Sequence, residues 1–375
     1  MPWKSVILFL TLLTGGLLYA QLLVEENEVE REGTKGLQVK REYLFKQSSL
    51  IYRYSHDPET KALLKGKWGD YFFGLNHGTV NNGSWCTWDF LQVNQLQKGR
   101  RINLLNLAPV TKTGMSRFAG GQLAEFVWPG GITFRLIQYE AMPEWLFGRV
   151  QLPEQIADLE VALGAWPGGT HWESPGRERH LLLQGNDLLL TNTPQNVPFV
   201  TEQGNALALY NRNYSERNGN FLIFEGSQVA GLTANAGGNN KVQMNFKPAD
   251  GKRELTFALG YFLDADPGET VARFLGEQAP NIIEILQKVD WNPAFDSSGF
   301  QRDWQRCREL LAILQKSNIV QLQELSGQAA GQLDQLRQRF ADGEAANDPG
   351  QCSTAWQELG GLRLQLGKAW LETLK

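Results

Sequence analysis

The residues best equipped for chemistry crowd into "THWESPGRERH", where His171, Trp172, Glu173, Arg177 and His180 lie between Thr170 and His180. If Thr170 to Glu173 is extended, His171 and Glu173 share a strand face. If Glu178 to His180 is extended, that pair shares one too, with Ser174-Pro175-Gly176 bending the chain between them. A histidine beside a carboxylate suits acid/base work or metal ligation, because imidazole titrates near neutrality and the carboxylate holds its tautomer. Three readings stand for this stretch: a solvated loop whose charges pair with one another, a sugar-binding loop, or a catalytic loop using His171, Glu173, Arg177 and His180. The chain lacks a nucleophile elbow, a phosphate-binding glycine loop, a dinucleotide glycine pattern and a zinc-protease helix motif. With only 4 histidines in the chain, no metal site is assigned, and no cofactor is expected.

Two other stretches combine aromatic rings with amides and cations. "LNHGTVNNGSWCTWDF" brings together His77, Asn81, Asn82, Trp85 and Trp88, and "LYNRNYSERNGN" brings Tyr210, Asn211, Arg212, Asn213 and Tyr214. Such side chains recognise sugars: the ring covers the apolar C–H face while amides and guanidinium groups bond the hydroxyls. The ligand-binding candidates are therefore His77, Trp88, Trp172, Arg212 and Tyr214. Trp85 and Trp88 are an odd number of residues apart, so on a flat strand they point to opposite faces and at least one belongs to the core.

The elements that must hold these stretches are strands. From about Lys67 to Leu263 the chain runs in short apolar segments such as "ITFRLIQYEA", "LEVALGAW", "ALALYNRN", "FLIFEG" and "KVQMNF", punctuated by Gly, Pro and Asn. This pattern predicts an antiparallel sandwich or two stacked sheets. "WPGG" occurs at Trp128–Gly131 and again at Trp166–Gly169. At each, proline presets one central turn position and the glycines accept positive φ. Beyond Pro280, apolar residues recur at three- and four-residue steps. Leu310, Leu311 and Leu314 should face Leu322, Leu325, Leu333 and Leu336 in an antiparallel bundle. The predicted order is an export segment or anchor (1–24), a charged solvated linker (25–45), an antiparallel β-sandwich (46–275) and a helical domain (276–375).

The export expectation comes from Lys4 followed by "SVILFLTLLTGGLLYA". A cleaved signal is one reading. An uncleaved anchor is another, since the apolar stretch resumes to Val24 and is about long enough for a ~30 Å hydrocarbon core. The chain would then be periplasmic or extracellular, touching a membrane only through that segment. In an oxidising compartment Cys307 and Cys352 could pair, leaving Cys86 over, against the alternative of three buried thiols. A net charge of −4 with basic residues scattered among acids argues against nucleic acid as a partner.

The strands from "FRLIQYEAMPEWLFGRVQLPE" through "LEVALGAWPGG" to "LTFALGYFLDADPGETVARFL" resemble the β-supersandwich of galactose-mutarotase-like, carbohydrate-active proteins, over about residues 67–275. That resemblance implies a sugar-facing concave sheet. The histidines and late glutamate of mutarotase catalysis have no counterpart here, so no catalytic residue follows from it. The expected protein is an exported carbohydrate binder with a helical domain that supports it or docks a protein partner. The alternatives are an enzyme processing a sugar or polysaccharide, and an envelope assembly protein acting through its helices.

Overall fold

The computed structural model describes residues 21–31, 33–64, 71–78, 84–85, 89–167, 178–211, 219–237, 241–262, 267–346 and 348–372. The chain first lays down β1 (Gln21–Arg31), β2 (Thr34–Leu44), β3 (Ser48–His56), β4 (Tyr71–Gly78), β5 (Ser84–Trp85), β6 (Leu91–Gln97) and β7 (Arg100–Asn103). It continues with β8 (Lys112–Phe118), β9 (Gly121–Val127), β10 (Thr133–Tyr139), β11 (Leu146–Gln151), β12 (Leu159–Trp166), β13 (Arg179–Leu183) and β14 (Asn186–Leu189). Last come β15 (Gln195–Asn196), β16 (Gly204–Asn211), β17 (Gly219–Glu225), β18 (Val229–Ala236), β19 (Val242–Pro248) and β20 (Glu254–Phe262).

These strands form two sheets. An 11-stranded sheet runs β1-β2-β3-β4-β5-β12-β19-β18-β15, with β6 on β12 and β7 on β6. A 9-stranded sheet runs β14-β13-β16-β17-β20-β11-β10-β9-β8. The alternation read from the sequence buries one face of each sheet against the other: Phe224 of β17 meets Phe246 of β19 at 5.4 Å, and Phe73 of β4 meets Phe134 of β10 at 5.8 Å. The protein is mainly antiparallel β with helices at its C-terminal end, as the pattern predicted.

The first "WPGG" does what its residues dictate. Gly130 and Gly131 sit at φ +86° and +90°, Trp128 N–H bonds the Ile132 carbonyl at 2.9 Å, and the Trp128 side chain is buried against Phe73, Phe126 and Tyr52. The glycines of the second copy, Gly168 and Gly169, lie outside the described residues.

The linker expected at 25–45 is instead largely strand. Charge hid the pattern: Val39 and Tyr43 of β2 are buried, opposite Tyr54 and Leu50 of β3, while Lys40 turns to Glu25 and Glu42. The domain boundaries move as well. The chain divides into a β unit, Leu23–Thr113 with Ala124–Trp291, and a helical unit that takes in Gly114–Leu123 and Asn292–Lys375. The β unit therefore keeps α1 (Pro267–Arg273), a π-helical turn (Phe274–Gln278) and α2 (Ala279–Gln287). Phe274 accounts for this, stacking on Phe221 at 3.6 Å and on Trp145 at 5.7 Å.

The helical unit holds α3 (Ser297–Leu314), α4 (Val320–Ala345) and α5 (Pro349–Glu372). Asp296 caps α3 through Gly299 N–H at 3.2 Å. The expected leucine seam forms, with Leu310, Leu311, Leu314, Leu322, Leu333 and Leu336 in one core and Leu325 packed against it. The expected Cys307–Cys352 bridge does not: both thiols are free and buried. Cys352 Sγ is turned to the Phe340 carbonyl at 3.6 Å, against Gly343 of α4, and so is engaged there and not with Cys307 on α3. The hairpin from Gly114 to Leu123 joins this unit through Asp296 N–H on the Arg117 carbonyl (3.0 Å) and a bridge between Phe118 and Phe295.

Candidate functional site

Most of the polar residues singled out in the sequence, namely Trp88, His171, Trp172, Glu173, Arg177, Arg212 and Tyr214, lie outside the described residues. The strand ends that flank them are described, and they are neighbours. Gly78 and Trp166 both pair with Ser84, Arg179 pairs with Asn211, and Gly219 pairs with Tyr210 and Phe262. The two sheets are tied together next to these ends, where His77 Nε2–H donates to the Leu259 carbonyl (3.1 Å) and Trp85 Nε1–H to that of Gly260 (3.0 Å). Trp85 is thus a core tryptophan.

His77 is not a ligand contact. It is fully buried, its Nδ1 accepts from Ser48 Oγ at 2.6 Å, and its ring meets Tyr261 edge-on at 4.8 Å. Burial pushes its pKa down to about 4, so near neutrality it is an uncharged strut between the sheets. His180 does pair with Glu178, as the alternation predicted, with Nε2 and Oε2 3.3 Å apart. Its other ring nitrogen faces Asp187 Oδ1 of β14 at 2.9 Å, and the ring stacks on Tyr210 at 5.3 Å. Asp187 was not legible beforehand, because the β13–β14 register brings it there. With both nitrogens engaged and 4% of the residue exposed, His180 serves as a clamp for this edge of the nine-stranded sheet.

A different surface has the composition of a binding site. Val242, Met244 and Phe246 of β19 point into the sandwich, so Gln243 and Asn245 point away from it, as do Ala162 and Gly164 of β12. The registers place Gln92, Ala162, Asn245 and Thr233 in one row across β6, β12, β19 and β18. A second row holds Gly164, Gln243 and Asn235, and a third holds Asn94 beside Glu160. Apart from Glu160 of β12 and Lys247 of β19, amides and small residues thus occupy positions where an outward-facing strand ordinarily carries charge.

The groups of this face are ordered. Gln243 Nε2 donates to Asn245 Oδ1 (3.0 Å) and Asn94 Nδ2 to Gln92 Oε1 (3.4 Å). Glu160 is the one carboxylate on the four strands, and Arg101 holds it by two bonds, Nε to Oε2 at 2.7 Å and Nη2 to Oε1 at 3.3 Å. That contact in turn raises the Arg101 pKa above the usual guanidinium range. Lys241 lies over Gly164, where a Cβ would come within 2.5 Å of its Cε, and donates to the Asp89 carbonyl at 3.2 Å. The exception is Asn245. It is 2% exposed, and its Nδ2 has no hydrogen-bond acceptor. An unmet buried donor is costly enough to need a reason, and a ligand hydroxyl placed on the row supplies an acceptor.

On this face Arg101 holds Glu160, Lys241 is turned to Asp89 and Lys247 of β19 is exposed, while the amides present donors and acceptors. Such a surface can hold a neutral polyhydroxylated molecule; it offers no carboxylate pair for acid/base catalysis among the described residues. "LQVNQLQ", "VQMNFK" and "LTANAG" carry the signal, apolar residues alternating with amides.

No protein-family model matches the chain, and no curated protein matches it. Among solved structures it is similar to the galactosidase domain of alpha-galactosidase-sucrose kinase, AgaSK, at 9% identity and a TM-score of 0.29. That likeness covers 63% of this chain and 42% of the other, so the chain spans under half the length of its structural counterpart. It is a distant similarity to a carbohydrate-related domain, and the fold described above stands on its own strand pairing.

Proposed function

We propose that the β unit binds a neutral carbohydrate on the amide-lined face of β6, β12, β19 and β18. The observation that carries this reading is Asn245: a buried amide whose Nδ2 lacks an acceptor, set in a row with Gln92 and Thr233 over the small Ala162. Sugar hydroxyls both donate and accept, which matches amides better than a charged ligand would. The neighbouring strand ends that flank the Trp88, His171–Arg177 and Arg212–Tyr214 stretches support a contribution from those residues. Export belongs to the same reading, supported by Lys4 and the apolar run behind it.

The test is retention of the full chain on glycan arrays and insoluble polysaccharides. Wild type should be retained. Asn245→Leu, which removes the unmet donor without opening a large cavity, should fold normally by circular dichroism and lose about tenfold in affinity, the scale of one good hydrogen bond to a ligand. Trp88→Ala and Arg177→Ala should weaken retention if those stretches reach the sugar. Failure of wild type across the panel, or unchanged affinity in Asn245→Leu, rejects the site. Release of soluble sugar that is abolished by His171→Ala would convert the reading from binding to processing.

A further inference from the structure

Trp304 of α3 belongs to the core of the helical bundle and is 8% exposed. Two arginines converge on its ring. Arg308, one turn along α3, has Cζ 5.0 Å from the ring centroid, and Arg337 of α4 has Cζ at 4.6 Å. One guanidinium over an indole is ordinary packing. Two bring like charges to one ring.

Other arginines of the bundle have carboxylate partners. Arg302 is met by Asp296 at 3.9 Å, Arg306 and Arg363 by Asp303 at 3.6 and 2.7 Å, and Arg339 by Glu358. Among the described residues, neither Arg308 nor Arg337 has a carboxylate within the 4.0 Å of an ion pair. Asp334, a turn before Arg337, does not pair with it. At the same place the indole Nε1–H of Trp304 is buried and has no acceptor. Both shortfalls are of the same kind: positive charge and N–H donors with nothing negative to receive them.

We propose that Trp304, Arg308 and Arg337 form an anion site that takes a phosphate group. A guanidinium fork matches two oxygens of a phosphate at once, and a dianion answers two unpaired cations where a carboxylate answers one. Phosphate also has oxygens to spare for the indole N–H at the ring edge. This site lies in the helical unit and is independent of the carbohydrate reading.

Calorimetric titration of the full chain with inorganic phosphate, at ionic strength held constant with chloride, tests it. Saturable binding is expected, with affinity about tenfold lower or worse in R308Q/R337Q, the size of one charge-assisted contact. Both arginines are exposed at the surface, so this variant should fold, whereas Trp304→Phe alters the core and serves only as a secondary probe. Vesicles of phosphatidylglycerol set against phosphatidylcholine separate the sources of phosphate. Arginine-dependent retention on the first alone assigns a lipid head group; phosphate binding without vesicle retention assigns a free ion. No saturable heat in wild type, or equal affinity in R308Q/R337Q, overturns the site and leaves the arginines as covers for the indole.

Discussion

His77 makes the β unit sensitive to acid. Its pKa is about 4 in the folded chain against 6.5 for the unperturbed group, so as pH falls the unfolded chain takes up the proton first. The stability it confers is fully present above pH ~6.5, drains away between there and ~4, and changes no further below; the whole span corresponds to about 3 kcal/mol. Urea unfolding at pH 7.5 and 4.5 should show this slope. His77→Asn should be weaker at neutral pH, having lost the strut, yet flatter across the same interval. The thiols behave oppositely. Burial pushes Cys307 up to about 12 and Cys352 up to about 11, which suppresses the reactive thiolate. Ellman's reagent at pH 8 should leave both unmodified until the chain unfolds.

Strands and turns carry the next predictions. At Gly219 of β17 a Cβ would come within 2.3 Å of the Leu209 carbonyl and 2.5 Å of the Phe262 ring, and backbone cannot step aside as a flexible side chain can. Gly219→Ala should cost about 2–3 kcal/mol in chemical denaturation. Gly130→Ala meets open space and pays only for its positive φ, about 1 kcal/mol. The contrast checks whether crowding or backbone conformation dominates at each glycine. These elements were largely readable in advance, because apolar alternation and turn residues are local signals. The amide face was not: Gln92 and Asn245 meet only through the β6–β12–β19 pairing, and no local pattern specifies which strands become neighbours. Nor was β2, whose Val39 and Tyr43 are spaced among charges and find their burial only beside β3. Asp187 belongs to the same class, a partner for His180 supplied by register alone.

For the molecule as a whole, the division into two units means that damage to one should leave the other's chemistry intact. Asp303 holds the bundle's buried polar centre, accepting from Arg363 Nη1 at 2.7 Å and from Trp356 Nε1 at 2.9 Å while 4% exposed. Asp303→Ala removes the buried carboxylate that receives Arg363 and Trp356 and should cost about 3–5 kcal/mol. Calorimetry should show the loss, while polysaccharide retention measured well below the transition stays at the wild-type level. The long outer strand β1 bears on a different matter. Among the described residues it is the last strand of the eleven-stranded sheet, and it carries Glu25, Glu26, Glu28 and Glu30. A second copy approaching that border meets its own sign of charge, so the sheet ends there instead of seeding a growing filament.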